Sequence, residues 1–267
     1  LISRRALAAG VGASLVARRT SADVDLAWRP RDLDVREIVV DGSLSRRFVL
    51  GVPRHLGAGD RVPVAVLLHG LGETNDERTG AWAWFERYGL GTSYDRLRDA
   101  GPLRGLVFAC PYMPNLPVAD PGAFDAYAAW IVETVLPRAA REAPVLDGPR
   151  ATFLGGCSLG GHFSIEVLLR RFEVFGAWAG VQTAIHDGAA RRYAAQIAAA
   201  TARSSPRDLF IETSTADPFR SGNEELSRAL TRGGVASTFV ELPGPHDQRW
   251  LRAAGSARLI QWLDGRR

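Results

Sequence analysis

Apolar residues recur along this chain in two rhythms. Short, nearly continuous apolar blocks fall at 62–68, 103–109, 151–154, 175–179, 208–212 and 236–241. Blocks of this length, apolar on successive residues, read as strands buried on both faces of a sheet. Between them run longer stretches with helical spacing, at 124–141 (Ala126, Trp130, Val132 and Val135 among the apolar positions), 159–172, 189–202, 224–231 and 250–263. Gly233-Gly234 ends the fourth of these. Two β-rich runs, 33–40 and 46–52, come first and are separated by Asp41-Gly42, a hairpin signal. A hairpin followed by alternating β and α units predicts an α/β fold: a mostly parallel sheet of about eight strands, an N-terminal antiparallel hairpin, and helices on both faces. No internal repeat or linker divides the chain, so residues 23–267 are expected to form one domain. In such sheets reactive groups gather beyond the carboxyl ends of the strands.

The sharpest chemical signal lies at one of those ends. Gly156-Cys157-Ser158-Leu159-Gly160 is a G-x-S-x-G pentapeptide between the strand 151–154 and the helix 159–172. A serine at the tip of so tight a turn has a strained backbone, and its neighbours two residues away must lack side chains. Gly-rich turns are common, so the strand before and the helix after give the pentapeptide its weight. Ser158 is the candidate nucleophile.

A serine hydroxyl needs a base. Of the five histidines, His55 sits in a Pro/Gly-rich loop, His69 ends the strand 62–68, His162 lies in the first turn after Ser158, and His186 precedes the acid candidate. His246 follows the last strand, in Pro243-Gly244-Pro245-His246-Asp247, and alone satisfies the chain order serine, acid, histidine. The acid should follow the penultimate strand, which points to Asp217. Glu212 is still on that strand, Asp187 follows the preceding one, and Asp247 is too close to the histidine to reach its ring. An oxyanion would need two converging amides, read here as Leu159, at a helix start, and Leu71, in the loop His69-Gly70-Leu71-Gly72. Aromatic residues concentrate in two stretches read as active-face loops. One holds Trp82, Trp84, Phe85 and Tyr88; the other holds Tyr112, Met113 and Leu116. Trp82, Trp84, Tyr112 and Met113 are therefore candidate pocket-lining residues, with packing against the sheet edge as the alternative.

Composition narrows the class of partner. The 267 residues are 46% hydrophobic and 23% charged, which suits a packed globular core rather than a disordered chain. The net charge is +4 and every basic residue besides histidine is arginine, scattered without a basic block or an aromatic-interleaved stripe. No nucleic-acid partner is expected. Cys110 and Cys157 read as buried free thiols, and no metal-ligand spacing, Walker sequence or complete dinucleotide fingerprint occurs. The apolar run 6–17 is too short to span a bilayer, so no stable membrane insertion is expected. Following Ser3-Arg4-Arg5 and preceding Thr20-Ser21-Ala22, it reads as an export leader over residues 1–22 with a twin-arginine pattern, which would place the protein in the periplasm or outside the cell; a frayed N-terminal helix on a cytoplasmic protein is the alternative.

Together these residues resemble the α/β-hydrolase superfamily and, within it, the esterase D and antigen 85-like esterases. His69-Gly70-Leu71-Gly72 with Asn75-Asp76 resembles that group's oxyanion loop, and Cys157-Ser158-Leu159-Gly160-Gly161-His162 its elbow. Asp217 with Asn223, Leu226 and Leu230 resembles its acid segment, and Gly244-Pro245-His246-Asp247 with Trp250 its histidine segment. The resemblance covers about residues 33 to 265, with four motifs in family order. It implies a serine hydrolase without metal or organic cofactor, acting on a small-molecule or polysaccharide-linked carboxylic ester. Feruloyl esterases, acetyl-xylan esterases and polyhydroxyalkanoate depolymerases are similar in build. An acyltransferase with the same three residues, or a non-catalytic scaffold, are the alternatives. The sequence departs from the group at Cys157, where His or Phe is frequent, and in lacking a long lid insertion.

Overall fold

The two rhythms separate into one sheet and the helices that cover it. The computed structural model describes residues 29–40, 43–117, 120–205 and 207–266. The expected leader and the Asp41-Gly42 turn lie outside these. Eight strands form the sheet: β1 (Leu33–Val40), β2 (Ser43–Pro53), β3 (Val64–Leu68), β4 (Val107–Pro111), β5 (Thr152–Cys157), β6 (Ala177–Val181), β7 (Asp208–Ala216) and β8 (Thr238–Pro245). Their order is β1-β2-β4-β3-β5-β6-β7-β8. β1, β2 and β4 pair antiparallel and every other neighbouring pair is parallel.

Every residue of β3, β4, β5 and β6 is buried, because helices cover both faces. Alternation sorts their side chains between two cores. Val64, Val66 and Leu68 enter one hydrophobic cluster, and Ala65 and Leu67 enter the other. The first cluster is closed by α3 (Pro121–Trp130), α5 (Leu159–Arg170), α6 (Asp187–Arg203) and α7 (Arg220–Arg232), through residues such as Phe124, Phe163, Ile197 and Leu226. The second is closed by α1 (Glu77–Glu86), α2 (Leu90–Ala100) and α8 (Ser256–Asp264), through Trp84, Tyr94 and Ile260. Among the described residues no helix is long and apolar enough to cross a membrane.

Three sequence expectations need correction. The segment 77–100, read in part as an aromatic loop, forms α1 and α2. Gly80, Gly89 and Gly91 interrupt its helical signal, and α1 buries Gly80, Ala81, Ala83, Trp84 and Phe85, nearly a continuous block rather than one stripe. A start signal was present, since the Asp76 carboxylate caps α1 by accepting from Thr79 N at 2.6 Å. The expected helix 124–141 is interrupted by a π turn at Ile131–Val135 and resumes as α4 (Leu136–Glu142). Pro137 cannot donate to the preceding turn, and the backbone widens just before it. Most parallel strands also extend past the apolar blocks. β7 continues to Ala216 and β8 to Pro245, because polar residues such as Thr213 and Ser214 keep pairing where the sheet approaches its carboxyl edge.

Candidate active site

Ser158 stands between β5 and α5 with φ 53° and ψ −121°, a left-handed conformation that few non-glycine residues adopt. The surroundings hold it there. Its amide donates to Val181 O on β6 (3.0 Å), and its carbonyl accepts from His162 N (3.1 Å) and Ala184 N (2.9 Å). The flanking glycines are a steric requirement. A Cβ on Gly160 would lie 2.4 Å from the carbonyl oxygens of Leu68 and His69, and one on Gly156 would lie 2.5 Å from the Gly160 carbonyl. α5 begins immediately after Ser158, so the positive end of its dipole faces the serine.

Asp217 and His246 meet through strand register. In the β7–β8 pair Ala216 lies opposite Pro245, so the residues that follow leave the two strands side by side. A register shift between Ser214 and Ala216 accompanies this exit. Gly244, at φ 134°, makes the turn; its missing side chain leaves room for the Trp250 ring, whose Nε1 donates to Pro243 O at 3.0 Å. His246 must still reach from the edge strand across to β5. Gln182, directly after β6, guides it there: its Nε2 donates to Pro245 O (2.9 Å) and to Ser214 Oγ (2.6 Å). Gln182 is itself buried and has φ 48°.

The result is a continuous hydrogen-bonded chain. His246 Nε2 lies 3.0 Å from Ser158 Oγ, and His246 Nδ1 lies 2.8 Å from Asp217 Oδ1. The carboxylate can only accept, so Nδ1 carries the proton and Nε2 is free to accept from the serine hydroxyl. Asp217 Oδ1 also accepts from Phe219 N (2.9 Å), and Oδ2 from Thr213 Oγ1 (2.7 Å). Both oxygens of this buried group are thereby satisfied. The rivals are elsewhere: Asp247 caps the turn Gln248–Trp250, Asp187 is exposed at the start of α6, and Glu212 is enclosed in the sheet.

The two candidate oxyanion amides open helical turns, Leu71 a 3-10 turn (Leu71–Glu73) and Leu159 the helix α5. The first amides of a helix have no acceptor within it. His69 orients the Leu71 amide. Met113 N donates to His69 Nε2 (2.9 Å), so Nδ1 carries the ring proton and donates to Gly70 O (2.9 Å). In a trans peptide the N–H opposes the carbonyl, which turns the Leu71 N–H away from His69. Burial lowers the pKa of His69 to about 4, keeping the ring in this neutral state. The other histidines lie apart: His55 near Arg104 O, His162 on the Tyr193 hydroxyl at 2.7 Å, and His186 exposed before α6.

A cleft of about 280 Å³ opens at Ser158, lined among others by Leu71, Glu73, Tyr88, Gln182, His246 and Leu251. None of Trp82, Trp84, Tyr112 and Met113 lines it. Trp84 and Met113 are fully buried in the two cores, Tyr112 donates its hydroxyl to Thr74 O (2.7 Å), and Trp82 sits on α1 beneath the Arg78 guanidinium. Folding 77–86 into a helix carries Trp82 and Trp84 into the packing against the sheet, and of the aromatic residues in that stretch only Tyr88, just beyond the helix, reaches the cleft. Gln182 and Glu73 had no motif to mark them. Cys110 and Cys157 are free and buried, as their apolar surroundings suggested.

No protein-family model and no curated protein matches the chain. Solved structures do. A ferulic acid esterase superposes with TM-score 0.69 at 16% identity, over 87% of this chain and 98% of its own. An S-formylglutathione hydrolase from Staphylococcus aureus gives 0.67 at 15% identity, covering 87% and 99%. The feruloyl esterase module from Clostridium thermocellum, complexed with sinapinate, gives 0.71 at 14% identity, covering 87% and 88%. With the strand order above, these likenesses define an α/β-hydrolase fold.

Proposed function

We propose that the protein is a serine hydrolase that cleaves carboxylic esters through an acyl-enzyme on Ser158. The observation that carries this reading is the pair of hydrogen bonds linking Ser158 Oγ, His246 and Asp217 at the mouth of the cleft. His246 Nε2 takes the hydroxyl proton as Ser158 Oγ attacks the acyl carbon. Asp217 holds the ring tautomer and stabilises the imidazolium that forms. The amides of Leu71 and Leu159 receive the tetrahedral oxyanion, which α5 favours by its dipole. His246 then protonates the departing alcohol. A water molecule, deprotonated by the same ring, releases the acid and restores the serine.

Two features refine the reading. A cleft of about 280 Å³ lies at the lower limit for ligand sites and suits a short acyl group. Leu71, at its mouth, is 54% exposed, so water can approach an acyl-enzyme, which favours hydrolysis over transfer to another alcohol. The neighbours that are feruloyl esterases and S-formylglutathione hydrolases act on esters and thioesters, in keeping with this chemistry.

The test is reaction with a fluorophosphonate probe alongside hydrolysis of p-nitrophenyl esters of increasing acyl length. Stoichiometric labelling, lost in Ser158→Ala, together with faster turnover of acetyl and butyryl than of long-chain esters, is the expected result. Absence of labelling in the intact protein would leave a binding scaffold. Acyl transfer to an added alcohol, outrunning hydrolysis, would make it a transferase.

A further inference from the structure

Beside Ser158 lies a second buried polar constellation that the proposed mechanism does not use. Glu73 is 3% exposed, yet it borders the cleft. Its Oε2 accepts from the Tyr88 hydroxyl at 2.5 Å, and its Oε1 accepts from Gln248 Nε2 at 2.9 Å, with Arg87 Nη1 at 3.5 Å. The Tyr88 oxygen in turn accepts from Gly70 N at 3.0 Å. The direction of these bonds is forced. An amide can only donate, so the single phenolic proton must go to Glu73. Burial raises the Tyr88 pKa well above its ordinary value, which keeps that proton in place.

Three segments converge here: the loop after β3, the residues just past α1, and the turn that begins two residues after His246. A fourth contact fixes Tyr88 from behind, where Ser256 Oγ donates to its carbonyl at 2.7 Å. The consequence falls on Gly70. One of its flanking peptides is held by Tyr88 through the Gly70 N–H, and the other by His69 through the Gly70 carbonyl. The second of these peptides carries the Leu71 amide. Gly70 is also close to the serine, since a Cβ there would lie 3.7 Å from Ser158 Cβ.

We propose that Glu73 and Tyr88 are positioning residues: together they hold the His69–Gly70 peptide, which fixes Gly70 beside Ser158 and so the direction of the Leu71 amide that follows it, and, through Gln248, they tie it to the segment carrying His246. This rests on the reading of Ser158 as nucleophile and of the Leu71 amide as an oxyanion donor. An amide held in place before reaction stabilises the developing charge without reorganising, so loosening it affects the transition state more than substrate binding.

The test compares Tyr88→Phe and Gln248→Ala with the intact protein in fluorophosphonate labelling, in kcat and KM on p-nitrophenyl acetate, and in affinity for a trifluoromethyl ketone. Tyr88→Phe should lower kcat by about 10- to 100-fold with KM within about threefold, and weaken ketone binding by a similar factor. Gln248→Ala, on a partly buried side chain outside both hydrophobic cores, should fold normally and lower kcat by about 3- to 10-fold in the same pattern. It decides the matter if Tyr88→Phe does not fold. Glu73→Gln, which keeps an acceptor for Tyr88, should recover most of the activity that Glu73→Ala loses. A loss carried by KM alone, or a kcat within twofold of the intact protein in both Tyr88→Phe and Gln248→Ala, would overturn the proposal while leaving Ser158 as nucleophile. Failure of the intact protein to label or turn over would instead remove the reading beneath it.

Discussion

Two buried carboxyl groups five residues apart, one within strand β7 and one just past its end, are treated in opposite ways. Asp217, at the tip, has donors on both oxygens: His246, the Phe219 amide and the Thr213 hydroxyl. Glu212, within the strand, has no hydrogen-bond partner on either oxygen among the described residues, and the nearest cation is Arg258 at 3.6 Å. Burial pushes the pKa of Glu212 from 4.5 to about 8, with Arg258 opposing the shift. The difference follows from where each sits in the ladder. Inside a sheet the backbone amides are consumed by neighbouring strands, whereas beyond the last paired residue they turn free and can solvate a charge. At the tip of a strand a buried carboxyl group finds donors for both oxygens; in the middle it finds none, and burial raises its pKa. The same contrast explains why only one of the two can orient an imidazole.

Replacement of each acid is the strongest challenge to this contrast. Asp217→Asn should lower kcat by about 10⁴-fold, because the amide can impose the wrong histidine tautomer while the fold persists. Glu212→Gln should leave kcat within about twofold. Steady-state kinetics on one short ester checks both, and comparable losses would erase the distinction. A smaller effect is expected from Thr213→Val, which leaves Asp217 Oδ2 buried without its donor. About 1–3 kcal/mol of stability should be lost, read by urea denaturation, with a fall of about tenfold in kcat.

The smallest effect lies in the pH dependence of stability. Glu212 binds its proton more tightly folded than unfolded, so its contribution is full below pH 4.5 and declines as pH rises toward about 8. His69 runs the other way: its folded value of about 4 lies under the ordinary 6.5, so stability is lost as pH falls between these limits. The two slopes oppose each other from about pH 4.5 to 6.5, and only the Glu212 decline remains from there to about 8. Glu212→Gln should therefore raise the thermal midpoint by a few degrees at pH 8, with the gain vanishing near pH 4, at about 2–4 °C per kcal/mol for a domain of this size. Thermal scans across this range check it; a gain that is the same at every pH would mean that the proton on Glu212 plays no part.

How much of this was legible beforehand differs from residue to residue. The alternation of apolar blocks and helical spacings announced the sheet, its N-terminal hairpin and its covering helices, because burial on one or both faces is written into successive residues of a single segment. Gly156, Ser158 and Gly160 announced the strained turn for the same local reason: the clash that glycine avoids arises within a few residues and with the strand alongside. The chain order of serine, acid and histidine pointed to His246, and the place just after the penultimate strand pointed to Asp217. What tertiary structure alone decided lies between segments. Whether the Trp84 ring faced the cleft or the core depended on how a glycine-interrupted helix docks on the sheet. Gln182 bracing Pro245, and Glu73 joining Tyr88 to Gln248, are meetings of residues 63, 15 and 175 positions apart, and no periodicity within one segment encodes them. A local pattern specifies which face of an element is dry; which polar groups find each other at the carboxyl edge of the sheet follows only once all the strands are in register.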